Sequence, residues 1–276
     1  MKKSLLTSAL LLALPFAAHA ADAPPPPPEG WSGSGEAGLA LASGNTKSQN
    51  LNAKLDVKYN DDQWKDDFYL LALRNKSNVT VTTINTATTP PSLVSTTNYD
   101  LTANRYETGA SAGYKFDDRS YIVGALRYEH DEFSPYQYQY TASIGYGYQV
   151  LKNARDELSF EAGPGYKVVQ PSAVNIPNPT PPPALLRVRS DSDSNVVLRG
   201  AMNYKHNFNA ITSFVDTFLV EAGSGNKFYQ NDAGLQVKMS DKLAVKVGYQ
   251  VRNNSDVQPG FKNTDQLLTT NLVYGF

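Results

Sequence analysis

From Tyr136 to Val150 the chain reads "YQYQYTASIGYGYQV", and every second residue belongs to the same chemical class. Tyr136, Tyr138, Tyr140, Ala142, Ile144, Tyr146, Tyr148 and Val150 make an apolar set. Gln137, Gln139, Thr141, Ser143, Gly145, Gly147 and Gln149 make the polar one. A period of two marks a β-strand, whose successive side chains leave opposite faces. Ordinary strands run to about five or six residues, so a longer one with two unlike faces needs a special environment. A bilayer supplies it. About 9–11 tilted residues cross the hydrocarbon, and tyrosines favour the two levels where lipid meets water.

The alternation recurs. "LNAKLDVKY" sets Leu51, Ala53, Leu55, Val57 and Tyr59 against Asn52, Lys54, Asp56 and Lys58. "YETGASAGYKF", "LSFEAGPGYKV" and "LAVKVGYQV" divide in the same way, whereas "FYLLALRN" is apolar on both faces. The pattern predicts strands near 33–44, 47–60, 63–76, 99–116, 119–133, 136–151, 156–170, 194–208, 211–224, 226–240, 242–254 and 265–276, with no helix.

The connections carry independent information. The even-numbered ones are short: "NDDQ", "FDDRS", "LKNARDE", "HNFNA" and "MSDK". The two longest, about 77–98 and 171–193, are the third and the seventh. They are rich in Thr, Ser and Pro, include Pro90-Pro91 and Pro181-Pro182-Pro183, and read as loops. Long connections confined to odd positions leave from one end of a sheet. Outer-membrane barrels have that asymmetry, with short periplasmic turns and longer extracellular loops. The long connections are therefore expected outside the cell and both termini in the periplasm. Backbone groups in lipid need partners, so such a sheet must close on itself. The predicted class is all-β, a closed antiparallel transmembrane β-barrel of about twelve strands. A soluble periplasmic β-sandwich also uses alternating strands, but strand length and loop parity weigh against it.

Residues 1–20 read as a secretory signal peptide, with Lys2 and Lys3, an apolar run from Leu5 to Phe16, and Ala18-His19-Ala20 before the cleavage point. Residues 21–30, "ADAPPPPPEG", form a proline-rich tether, leaving 31–276 as the barrel. The mean hydropathy of −0.41 does not argue for solubility, because alternating strands average to polar values. Without Lys2 and Lys3 the 25 basic residues become 23 against 26 acidic ones, a net of −3. Nucleic acid is not an expected partner at that balance. The chain has no cysteine, hence no disulfide or thiolate metal site.

With the apolar faces on lipid, the inward set includes Lys54, Asp56, Lys58, Glu107, Lys115, Arg127, Glu129, Asp131, Glu161, Lys167, Arg199 and Lys246, together with Lys205, Lys238 and Arg252. Mixed signs suit a lumen packed with ion pairs as well as a wet channel for small solutes or ions, where a selective pore favours rings of one sign. "LLTTNLVYGF" places Leu268, Thr270, Leu272, Tyr274 and Phe276 on one face. Leu272, Tyr274 and Phe276 are the candidate signal for the barrel-insertion machinery. "RYEHDEFSPY" gathers His130, Asp131 and Ser134, the residue types of a hydrolase, but without a "GxSxG" elbow. "SDSDSN" echoes the start of a calcium loop and lacks its glycine and distant glutamate. Neither enzyme chemistry nor a cofactor is expected.

The segments "WSGSGEAGLALASGNT" (31–46), "RYEHDEF" (127–133), "SIGYGYQV" (143–150), "LSFEAGPGY" (158–166) and "NLVYGF" (271–276) resemble the salt-induced outer-membrane protein family, the YdiY-like proteins. The resemblance implies an outer-membrane barrel surrounded by lipid, with a link to salt or osmotic stress. It supplies no catalytic residue, cofactor or substrate. The two long connections exceed the family pattern.

Overall fold

The computed structural model describes residues 29–42, 47–85, 87, 89–178 and 184–276. The predicted signal peptide and all but the last two tether residues lie outside these. The strands are β1 (Gly30–Ala42), β2 (Ser48–Asn60), β3 (Trp64–Asn85), β4 (Ser92–Lys115), β5 (Ser120–Asp131), β6 (Tyr136–Lys152) and β7 (Asp156–Pro171). They continue as β8 (Val174–Asn178), β9 (Ala184–Val188), β10 (Asp193–Asn207), β11 (Thr212–Gly223), β12 (Phe228–Lys238), β13 (Leu243–Asn254) and β14 (Thr264–Gly275). Twelve of them close into an antiparallel barrel in the ring order β1-β14-β13-β12-β11-β10-β7-β6-β5-β4-β3-β2, while β8 and β9 form a separate hairpin.

Register fixes which face each residue takes. One row runs Glu36, Lys54, Leu71, Glu107, Glu129, Gln139 and Val169 across seven consecutive strands, and it points inward. The row one residue away, Leu55, Leu70, Thr108, Tyr128, Tyr140 and Val168, points out. Outward side chains have no protein cover: Ile144 is 60% and Leu268 71% exposed. A barrel apolar outside and polar inside inverts a soluble protein and matches lipid as solvent. Aromatic residues pair at the two rims of the apolar belt. At the short-turn end Trp31 meets Tyr59 and Trp64 meets Tyr114. At the other, Tyr106 stacks on His130 and Tyr128 on Tyr140.

The short turns share one device. Asp61, Asp117, Asn153 and Asn209 each accept two backbone N–H groups from residues two and three places on, at 2.6–3.0 Å. Ser240 accepts one from Leu243 at 3.2 Å. These are the local side-chain bonds that make Asx and Ser turn-formers. The N–H groups of Trp64 and Gln63 hold the Asp61 carboxyl below the usual carboxylate range.

Two expectations need correction. The third and seventh connections are not simple loops. β3 and β4 carry on as a hairpin through Asn85 and Ser92, and β8–β9 occupies much of the second stretch. Thr and Val are strand formers, and Pro90-Pro91 falls only at the hairpin tip. Tyr136 also leaves the face of Tyr138 and Tyr140. A bulge between Tyr136 and Tyr138 shifts the register, and Tyr136 is buried, its hydroxyl donating to the Asp256 carbonyl at 2.9 Å. A bulge re-aims a side chain in this way.

Two inward tyrosines depend on glycines opposite them. A Cβ on Gly147 would lie 2.2 Å from the Tyr121 ring, and one on Gly109 2.3 Å from that of Tyr69. Closure comes from β1 and β14, with Gly33 and Phe276 exchanging both backbone hydrogen bonds at 2.9 and 3.0 Å.

Facing and closure give two tests. Arginine at the lipid face costs about 2–4 kcal/mol near mid-membrane, and lumen changes are milder. Ile144→Arg should therefore abolish the heat-modifiable folded band on gels while Glu161→Gln keeps it; equal effects would reverse the facing. Phe276→Asp sets a charge on the outer face at the β1–β14 seam. Its protein should be degraded rather than assembled, and wild-type levels of folded protein would contradict that role.

Candidate functional site: a charged layer across the lumen

The inward rows of β4, β5, β7, β11 and β13 bring eight charges to one level. Arg105, Arg127, Lys167 and Arg252 face Glu107, Glu129, Asp131 and Glu221, four of each sign and all buried. Arg127 is the hub. Its Nε donates to Glu107 Oε1 at 3.0 Å, its Nη2 bonds Glu129, and its Nη1 lies 3.7 Å from Glu221. Lys167 Nζ sits 2.9 Å from the same Glu221 oxygen. Arg252 bonds Glu129 through Nη2 and approaches Asp131 at 3.5 Å. Arg105 Nη2 donates to Gln250 Oε1 at 2.6 Å.

The Arg252–Glu129 pair crosses the bore. β13 and β5 stand six places apart in the ring of twelve, so their side chains meet across the full diameter. Phe228, inward from β12 and 0% exposed, fills the space left. Arg127, Lys167 and Arg252 lie over its ring, 4.6, 4.9 and 5.3 Å from the centroid, where the ring quadrupole attracts cations. A fully buried phenylalanine on the polar face needs such neighbours. The ring supplies apolar bulk, and the cations around it are neutralised by carboxylates that are themselves 0% exposed, Glu129 and Glu221.

The remaining inward residues lie towards the short turns in local pairs. Lys54 meets Asp56 at 2.7 Å and Lys246 meets Glu36 at 2.7 Å. Arg199 meets Glu161 at 3.0 Å, and Tyr121 donates to the same carboxylate at 3.0 Å. Lys58 reaches Asp67 at 3.3 Å at the exposed rim. Lys115 caps the first turn, donating to Asn60 at 2.8 Å and to the Asp61 carbonyl. Of the twelve lumen candidates, the charged layer gathers Glu107, Arg127, Glu129, Asp131 and Lys167; Lys54, Asp56, Lys58, Lys115, Glu161, Arg199 and Lys246 stay outside it. Leu272, Tyr274 and Phe276 are on the outer face, each about half exposed.

Sequence reasoning missed Arg105, Glu221 and Phe228. Glu221 sits in "FLVEAGSG", where both faces look apolar. Phe228 had a signal: its strand continues Gln230, Asp232, Gly234, Gln236 and Lys238 on the same face, and that polar set marks Phe228 as inward. The hydrolase trio does not assemble. His130 is on the outer face against Tyr106, and Asp131 points inward to Arg252. Ser134 lies in the next connection, its carbonyl accepting from Ser172 Oγ at 2.7 Å. Among the "SDSDSN" residues Asp193 accepts from the Ser194 N–H and the Asn195 amide. Among the described residues no group of His, Asp and Glu is arranged to hold a metal ion.

Among solved structures the chain is similar to the translocator domain of the autotransporter NalP from Neisseria meningitidis, at 11% identity and a TM-score of 0.46, covering 89% of this chain and 87% of that one. It is similar to the COG4313 outer-membrane channel from Pseudomonas putida F1, at 10% identity and a TM-score of 0.43, covering 94% and 98%. The NanC porin gives 12% identity and a TM-score of 0.41, covering 89% and 97%. No curated protein sequence matches. Residues 35–276 match the family described as "Protein of unknown function, DUF481", and with nearly the whole barrel inside that match the chain belongs to this family.

Proposed function

We propose that the protein is a narrow outer-membrane channel for small solutes or ions, closed at rest by the layer of charges around Phe228. The observation that carries this is the Arg252–Glu129 pair, which spans the lumen between opposite strands. If the lumen needed only filling, apolar side chains would serve as well or better, because desolvation offsets most of what a buried ion pair gains. Charges that separate leave a polar bore behind, whereas an apolar plug leaves none. The salt link implied by the family resemblance gives the stimulus to try first.

The second reading is an envelope protein whose lumen never opens, favoured by the complete burial of Glu129, Glu221 and Phe228. In neither reading does the protein carry out chemistry. The orientation we infer places the Asx turns and both termini in the periplasm and the β3–β4 and β8–β9 hairpins outside, as short turns at one end support. Outer-membrane lipid and the insertion machinery, reading Leu272, Tyr274 and Phe276, are the partners this requires.

Single-channel recording in planar bilayers separates the two readings. The wild-type protein should be mostly shut with discrete openings that become more frequent with salt or voltage, and Phe228→Ala should stay open. A wild-type barrel that is folded yet silent under every condition would favour the second reading. Thermal unfolding tests the layer itself. Glu129→Ala takes from Arg252 its closest carboxylate, leaving only Asp131 at 3.5 Å, and should cost about 3–5 kcal/mol, the usual effect of breaking a buried pair. Glu129→Ala with Arg252→Met should recover much of it, and an undiminished loss would argue that the pair is not the central contact.

A further inference from the structure

The β3–β4 hairpin outgrows its neighbours in the barrel wall. β2 ends its pairing with β3 at Ser48 opposite Ser77, and β5 ends its pairing with β4 at Asp131 opposite Arg105. Past one further backbone bond on each side, Asn78 N–H to the Lys47 carbonyl and Glu132 N–H to the Asn104 carbonyl, β3 and β4 pair only with each other among the described residues. The outer edge of Val79–Ile84 therefore has no backbone partner among the described residues.

Sheet edges that face water are normally guarded by charge, by proline or by a bulge. This one has none of these. "VTVTTI" contains no charged residue, proline or glycine, and 77–98 contains no Asp, Glu, Lys or Arg at all. Thr80 bonds Thr97 and Thr82 bonds Ser95 across the hairpin, each at 2.8 Å, which stiffens the projecting pair. Val81 is 53% and Ile84 67% exposed, beyond the part of the sheet that the other strands flank. The other edge differs, since β4 carries Asp100 there, while the lysines nearest Val79–Ile84, Lys47 and Lys76, lie at its base over Tyr99. A six-residue uncharged segment of strong strand formers on an exposed edge is the signature of a strand that pairs with copies of itself.

We propose that Val79–Ile84 is a self-association edge, at which two copies of this chain join their hairpins into one four-stranded sheet outside the barrel. The missing charge selects a second copy as the occupant, because guarding charges act first against identical neighbours. Antiparallel pairing about a two-fold axis lets identical edges satisfy each other's N–H and C=O groups. Because β3 runs unbroken from the wall into the hairpin, this pairing sets the two barrels head to head at opposite ends of the shared sheet, as in two apposed membranes. The axis must pass through a residue that faces itself, and the centre of the segment makes that residue Val81 or Thr82. The inference does not depend on which side of the membrane the hairpin occupies, or on whether the lumen conducts.

Because the chain has no cysteine, single-cysteine variants of the full-length protein test this directly. Cα atoms facing each other across an antiparallel pair lie about 4.5–5.5 Å apart, inside the disulfide range of about 4.4–6.8 Å. Mild oxidation of the detergent-solubilised barrel should convert Val81→Cys or Thr82→Cys to a dimer on non-reducing gels, with Ser95→Cys on β4 remaining monomeric. Adding Thr80→Lys and Ile84→Lys to the reactive variant should abolish the dimer band and leave the heat-modifiable barrel intact. Dimer yields no higher than that of Ser95→Cys, or dimers that survive the lysines, would overturn the proposal.

Discussion

The whole molecule follows from one constraint, that peptide N–H and C=O groups in hydrocarbon must find partners within the protein. A β-sheet meets it only by having no edge, so β14 has to return to β1, and the Gly33–Phe276 bonds are where it does. Closure then divides every strand into a lipid face and a lumen face, and period-two alternation becomes obligatory. The long strands, the aromatic rims and the tight Asx turns are secondary to that division. The place where the chain escapes the constraint is also informative. β3 and β4 run on past the wall, where water can solvate an open edge.

Inside, the rules reverse. Twelve strands enclose a lumen small enough for side chains from opposite walls to touch, as β5 and β13 do. The polar face that lipid forces inward must then satisfy itself largely without solvent. Charges of both signs in equal number are one solution, and a phenylalanine held by cations supplies apolar volume without leaving them unpaired. Towards the short turns the pairs become more local and more exposed, Lys58 with Asp67 at the rim being the clearest case.

Much of this was legible in the sequence because alternation and the parity of the connections are local signals. The strand number and the antiparallel ring could be read from spacing alone. What escaped had specific physical causes. Tyr136 changes face at a bulge, and the unbroken Tyr/Gln alternation of 136–140 gives no sign of the shift. The β3–β4 extension looked like a loop because Thr, Ser and Pro suggest one, although Thr and Val also favour strands and the prolines sit at the tip. Glu221 was hidden in an apolar stretch. The charged layer as a whole could not be foreseen, since which charges share a level depends on the register of strands far apart in sequence.

The Arg252–Glu129 bridge also has a mechanical meaning. A barrel wall is held together around its circumference by neighbour-to-neighbour hydrogen bonds, which resist tearing but do little to keep the cross-section round. A side-chain strut across the diameter, joined by the Arg127 contact that reaches Glu221 four places round the ring, braces the ring against flattening in more than one direction. Lateral tension in the membrane would load these struts before it strained the sheet. The contacts that occupy the bore therefore also set the stiffness of the wall.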